Sequence, residues 1–147
     1  DNVRIGTNGR LDTLQAAILI EKLRLFPEEI EARQRVAARY TEGLRDIVKT
    51  PRVAPGTISA WAQYTLRMGR RGAVAARLKE HDVPTAVYYP KPLHQQSAYT
   101  AFPTAPGGLP VSERLAQEVL SLPMHPYLER ETQDFIIDAV RAAVNNV

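Results

Sequence analysis

The residues with chemical potential fall in three short stretches. The first is "GTNGRLDTLQAA", residues 6–17, in which a Gly/Asn loop bearing Asn8 and Arg10 runs into a helix. Backbone N–H groups near a helix start, with an amide and a guanidinium beside them, can hold a phosphate or a carboxylate. The same residues also read as a plain capped helix, with Asp12 near the N-cap and Arg10 in solvent. The second stretch is "YYPKPLH", residues 88–94: two phenols, a lysine and an imidazole on a chain held by Pro90 and Pro92. Proline fixes its own φ and turns the preceding residue toward extended geometry, so this segment is stiff and extended. Phenols join a flat apolar face to a hydrogen-bonding tip, which suits sugars and nucleobases. The alternative is a rigid loop whose tyrosines pack on a sheet. His94 is able to do acid–base work, although a lone histidine is more often structural.

The third stretch, "LPMHPYL", places His125 in a proline-flanked turn. With no second histidine or carboxylate at ligand spacing, no metal site is expected there. Carbonyl–amine chemistry needs a lysine nucleophile freed of its charge. Lys22 and Lys79 fall on helices beside charged neighbours, Lys49 follows a helix end and Lys91 sits between prolines. None lies in a pattern that implies desolvation. The phosphate loop, the G-x-G-x-x-G turn and the nucleophile elbow are all missing.

These groups sit on a chain of 147 residues with a formal net charge of +3, its 19 basic and 16 acidic side chains interleaved. That length fits one domain with a real core. No basic run is long enough to act as a nucleic-acid arm, so no nucleic-acid partner is expected. The longest apolar run, Ala16 to Ile20, is too short to span a bilayer, so no membrane partner is expected either. There is no cysteine, which removes disulfides and thiol chemistry and suits a cytoplasmic protein. Asp1 opens the chain in place of methionine, which suggests a processed product or a piece of something longer.

The elements that must position these residues follow from propensity and period. "DTLQAAILIEKLRLF" is rich in helix formers, and around Ala16 to Ile20 its apolar residues cover nearly the whole circumference, the mark of a helix buried on most sides. Pro27 is expected to stop that helix and to open another, with Glu28 and Glu29 at its positive end. The second helix would run to about Ile47 with Ile30, Ala37, Tyr40 and Leu44 on one side and a Glu31–Arg35 pair on the other. At roughly 20 residues it would be about 30 Å long, a strut between two lobes. Trp61 to Met68 alternates as a strand, with Tyr64 and Leu66 on one face. "RRGAVAARLKEHD" reads as a helix, Val83 to Tyr89 as a strand entering the proline segment, and Gln95 to Pro110 as a long loop. Ser112 is placed to cap a helix running to about Leu120. A short strand and turn follow in "LSLPMHPYL". Glu131 to Val144 reads as a final helix with Phe135, Ala139, Val140 and Ala143 turned inward. The fold class is α/β of the α+β type: a small mixed or antiparallel sheet with packed helices and a long inter-domain helix. Residues 1–47 form the linker loop and the interdomain or dimer helices, and residues 48–147 form a small C-terminal domain. The apolar first helix calls for a second lobe or a second subunit.

Five stretches, "NGRLDTLQAAIL", "RYTEGL", "AWAQYTLR", "PTAVYYPKPLHQQSAY" and "LSLPMHPYL", together resemble the C-terminal part of the DegT/DnrJ/EryC1/StrS family. The resemblance covers nearly the whole chain in the family's order. It implies a fold-type-I, pyridoxal-phosphate-dependent aminotransferase acting on nucleotide-linked keto-sugars. The first and last of these stretches are most similar to the branch that aminates a UDP-linked 2-acetamido-3-keto-uronic acid for bacterial surface polysaccharides. In that pattern the cofactor lysine lies in a large N-terminal domain outside this chain, the amino donor is glutamate, and the enzyme is a homodimer with active sites at the subunit boundary. The resemblance further implies that Asn8 reaches the cofactor phosphate of the neighbouring subunit. It sets Arg10, Tyr88, Tyr89 and His94 beside the nucleotide-sugar. The family often carries histidine at the Tyr88 position, and a phenol brings no positive charge toward a uronate. No catalytic residue is expected in this chain, which by itself should form no covalent adduct with pyridoxal phosphate and show no turnover. Two other readings are a non-catalytic dimerisation module and a sugar-nucleotide-binding regulator.

Overall fold

The computed structural model describes residues 1–7 and 9–146. Its elements run α1 (Thr13–Leu44), β1 (Tyr64–Arg67), α2 (Arg71–Glu80), α3 (Pro110–Glu118), β2 (Val119–Leu122) and α4 (Arg130–Asn145). Single 3₁₀ turns at Leu93–Gln95 and Ser97–Tyr99 sit between α2 and α3.

The expected break at Pro27 does not occur: α1 is continuous over 32 residues with Pro27 inside it. Strong helix formers flank the proline on both sides, and their propensity outweighs one missing donor. The Leu23 carbonyl that Pro27 leaves without a partner lies on an exposed stretch, where water can serve it. Asp12 caps the helix as the sequence suggests, its Oδ1 accepting the Gln15 N–H at 2.8 Å.

The two halves of α1 meet different environments. In the second half, Val36, Ala37, Tyr40 and Leu44 are buried against α4, whose Ile136, Ile137 and Val140 join the same core. Gln133 donates from its buried amide to the Val36 carbonyl at 2.7 Å, and Arg39 pairs with Asp134. The first half is not buried as its composition suggests. Leu14, Ile18, Ile20 and Leu23 are each more than half exposed, with no other described part of the chain covering them. The Glu31–Arg35 pair is absent among the described residues; Glu21 and Arg24 pair instead at 2.7 Å.

β1 and β2 form an antiparallel pair with Tyr64 opposite Leu122 and Arg67 opposite Val119. Lys49 adds one bridge beyond Arg67, and Ala86 adds one beyond Ser121. The segment Val83 to Tyr89, expected to be a strand, therefore contributes a single antiparallel bridge. The prolines from Pro84 onward and the departure at Tyr88 deny it a longer ladder. Pro110 opens α3 at its first turn, so Ser112 lies inside that helix and is not its cap. In α4, Ala139, Val140 and Ala143 face inward as expected, whereas Phe135 is 54% exposed and Ile136 and Ile137 are buried in its place.

Candidate functional site: a tyrosine-lined cleft

The "YYPKPLH" segment is launched from the sheet edge. Val83 is buried and returns its N–H to the Leu78 carbonyl at 2.9 Å, ending α2. Ala86 then exchanges two backbone hydrogen bonds with Ser121, at 3.1 and 2.8 Å. Val87 still packs against the core, and beyond it the chain leaves the sheet. Tyr88 and Tyr89 are joined by a cis peptide; their rings lie 6.2 Å apart at 75°, edge to face. Both are exposed.

The two rings border an open cleft of about 580 Å³. Lys91, Asn2, Ser112 and Leu115 are among its other walls. One side thus offers phenol faces and tips, another aliphatic surface from α3, and Lys91 adds a cation. That combination can seat a flat polar ring and attract an anion. Lys91 meets the Asp1 carboxylate at 3.2 Å. Asp1 also accepts from the Ser97 N–H at 2.9 Å and from the Ser97 hydroxyl at 2.6 Å.

Tyr88 and Tyr89 are therefore brought together on one cleft. His94 turns toward α3 and pairs with Glu113, Nε2 to Oε1 3.0 Å, with most of its side chain covered. Arg10 is exposed on the segment before α1 and makes no hydrogen bond to a described residue. Asn8 lies outside the described residues. Contact between the opening segment and the cleft is made instead by Asp1 and Asn2, which sequence reasoning did not single out. Nothing in the local pattern marks them, because their partners are 90 or more positions away.

The first 141 residues match the family described as the DegT/DnrJ/EryC1/StrS aminotransferases. The chain belongs to that family. It is 48% identical over 140 residues to the UDP-2-acetamido-2-deoxy-3-oxo-D-glucuronate aminotransferase of Pseudomonas aeruginosa, an alignment covering 95% of this chain and 38% of that protein. It is 40% identical to a pleiotropic regulatory protein of Geobacillus stearothermophilus, covering 92% of this chain and 38% of that one. Its fold superposes with a TM-score of 0.88 and 53% identity on a DegT/DnrJ/EryC1/StrS aminotransferase from Brucella abortus, covering 98% of this chain and 39% of that one. The chain thus spans less than two-fifths of each of these three relatives.

Family members named as transaminases raise the question of which group here could hold pyridoxal phosphate. The cofactor's aldehyde requires a lysine able to lose its charge. Lys22, Lys49 and Lys79 are exposed, and Lys91 is paired with Asp1. These lysines do not fit that role, and no step through the cofactor is assigned to them. No group of metal-ligating side chains occurs among the described residues, and no described helix is long and apolar enough to cross a membrane.

Proposed function

We propose that this chain is the C-terminal part of a pyridoxal-phosphate-dependent aminotransferase that passes an amino group, from glutamate, to a nucleotide-linked keto-sugar used in bacterial surface polysaccharides. One observation carries the reading: a chain that matches the DegT/DnrJ/EryC1/StrS aminotransferase family over residues 1–141 displays adjacent phenols on an open cleft and has no lysine suited to the cofactor. The chain's part is binding. Tyr88 and Tyr89 face the nucleotide-sugar, Arg10 and His94 add polar contacts, and Asn8 reaches the cofactor phosphate of a partner subunit. The cofactor supplies the amino-group chemistry from a lysine-bearing domain upstream. The apolar first half of α1 supports the same arrangement, since a homodimer partner and that domain would cover it.

The identity to a pleiotropic regulatory protein supports a second reading, a sugar-nucleotide-binding regulator without turnover. Titrating UDP-linked sugars into the full-length protein while recording the cofactor's absorption separates the two. A saturable spectral change with a keto-sugar or amino-sugar is the expected result. Binding with no spectral change at any concentration would leave the regulator. The chain of 147 residues by itself, mixed with pyridoxal phosphate and reduced with borohydride, should carry no adduct on Lys22, Lys49, Lys79 or Lys91.

A further inference from the structure

Gln96 is the one polar residue of the loop between α2 and α3 that is nine-tenths buried, at 8% exposure, while Gln95 and Ser97 on either side are exposed. A long polar side chain is buried only when its donors and acceptors are met. Those of Gln96 are met by two segments far apart in sequence. Its Oε1 accepts the Asn2 N–H at 3.3 Å, and its Nε2 donates to the Lys91 carbonyl at 3.1 Å. Asn2 and Lys91 are both walls of the tyrosine cleft. Gln96 is itself part of the cleft lining, and its carboxamide ties one wall to the other.

Around this tie the opening segment is laid along the loop as a short strap. The Ala98 N–H donates to the Asn2 carbonyl at 2.8 Å. Asp1 takes both the N–H and the hydroxyl of Ser97 and pairs with Lys91. The exposed members of this set are screened by water and weakly held one by one. The Gln96 amide is different: it is itself buried, and losing it takes a partner from the Lys91 carbonyl and the Asn2 N–H in part-buried contacts. The strap continues into the residues that carry Arg4 and Arg10, so its fixed point also sets where those guanidinium groups start from.

We propose that Gln96 is a positioning residue for nucleotide-sugar binding: it clips the opening segment to the Lys91 backbone and so holds the width of the tyrosine cleft. This rests on the proposed function for the ligand, but the clip itself does not. It acts on binding and not on bond making, because both ends of its carboxamide are engaged by backbone groups of the walls.

The test has two arms. In the 147-residue chain, amide hydrogen exchange at Ser97 and Ala98 reports the strap directly. Gln96→Leu, close in volume and without polar atoms, should speed exchange there at least tenfold and leave the Val140 amide unchanged. In the full-length enzyme the same variant should raise KM for the nucleotide-sugar about tenfold with kcat within twofold, and Gln96→Glu, which keeps an acceptor for Asn2, should fall between. Asp1→Ala, an exposed change at the other end of the strap, carries the same readouts if Gln96→Leu does not fold. Unchanged exchange overturns the clip. Faster exchange with unchanged KM, or a fall in kcat alone, overturns the positioning role. A wild-type enzyme with no turnover and no nucleotide-sugar binding overturns the aminotransferase reading and the ligand assignment with it, while the exchange arm still decides the clip.

Discussion

The Tyr64 and Thr41 hydroxyls share a hydrogen bond at 2.7 Å, and Thr41 Oγ1 also reaches the Ala37 carbonyl at 2.9 Å. The Tyr64 ring lies 5.0 Å from that of Tyr40, whose own hydroxyl donates to the Pro123 carbonyl at 3.0 Å. Two buried phenols thus lock α1 to the sheet and to the turn that follows it. Both have their pKa raised, chiefly because burial disfavours the phenolate; the Tyr64 charge adds to the effect on Tyr40, and the Thr41 contact opposes it on Tyr64.

A raised folded-state pKa means that the folded chain holds its proton more tightly than the unfolded one. The associated stability is intact below the ordinary phenol value of about 10 and is lost as pH climbs from there toward the folded-state values. Thermal melts should therefore show stability falling steeply above about pH 10. Tyr40→Phe should reduce that alkaline slope. Near neutral pH the same variant should cost about 1–2 kcal/mol, since the Pro123 carbonyl loses its donor. An alkaline slope equal to wild type would contradict this account.

Arg141 grips Asp46 with two contacts of 2.8 Å each. This hydrogen bonding holds the Asp46 carboxyl below its ordinary range and raises Arg141 correspondingly. A depressed carboxylate contributes stability above its unfolded pKa and loses it as pH falls through the folded value. Chemical denaturation at a series of acidic pH values should show Asp46→Asn with a shallower loss than wild type below about pH 4. The pair is exposed, so the whole effect should shrink in high salt.

Gly43 faces Ile137 so closely that an added Cβ would sit 2.8 Å from Ile137 Cγ2. Alanine normally favours a helix over glycine by about 1 kcal/mol. Here the β-branched neighbour is buried and cannot swing aside. Gly43→Ala should thus be destabilising by about 1–2 kcal/mol in urea titrations. A second change, Ile137→Ala, should cost less in the Gly43→Ala background than alone, a coupling that a double-mutant cycle measures.

For the cleft, Tyr88→Ala and Tyr89→Ala in the full-length protein should each weaken nucleotide-sugar binding about tenfold, the loss of one aromatic face. Neither change should lower the melting temperature appreciably, because neither ring belongs to the buried core. Calorimetric titration with a UDP-sugar checks the first expectation and a thermal scan the second. Equal affinity in both variants would move the ligand away from this cleft.

Much of the fold was legible in the residue order because local physics wrote it there. Asp12 capped the first helix, Tyr64 and Leu66 shared the buried face of β1, and Ala139, Val140 and Ala143 turned α4 inward, each by a period or a cap that acts over a few positions. Pro27 misled because a single missing donor is cheap on an exposed helix with strong formers on both flanks. Phe135 misled because its side chain is large and apolar, while the core had room for Ile136 and Ile137 instead.

The cleft divides along the same line. Proline stiffness and the adjacency of two phenols sufficed to mark Tyr88 and Tyr89 as a displayed pair. The residues that shape the space around them could not be found that way. Asn2 meets Gln96 and Asp1 meets Ser97 across more than 90 positions, and contacts of such span leave no periodic or spacing signal in the chain. Short-range propensities are set by each residue and its near neighbours, whereas the walls of a cleft are set by which distant backbones the packed core brings within hydrogen-bonding reach.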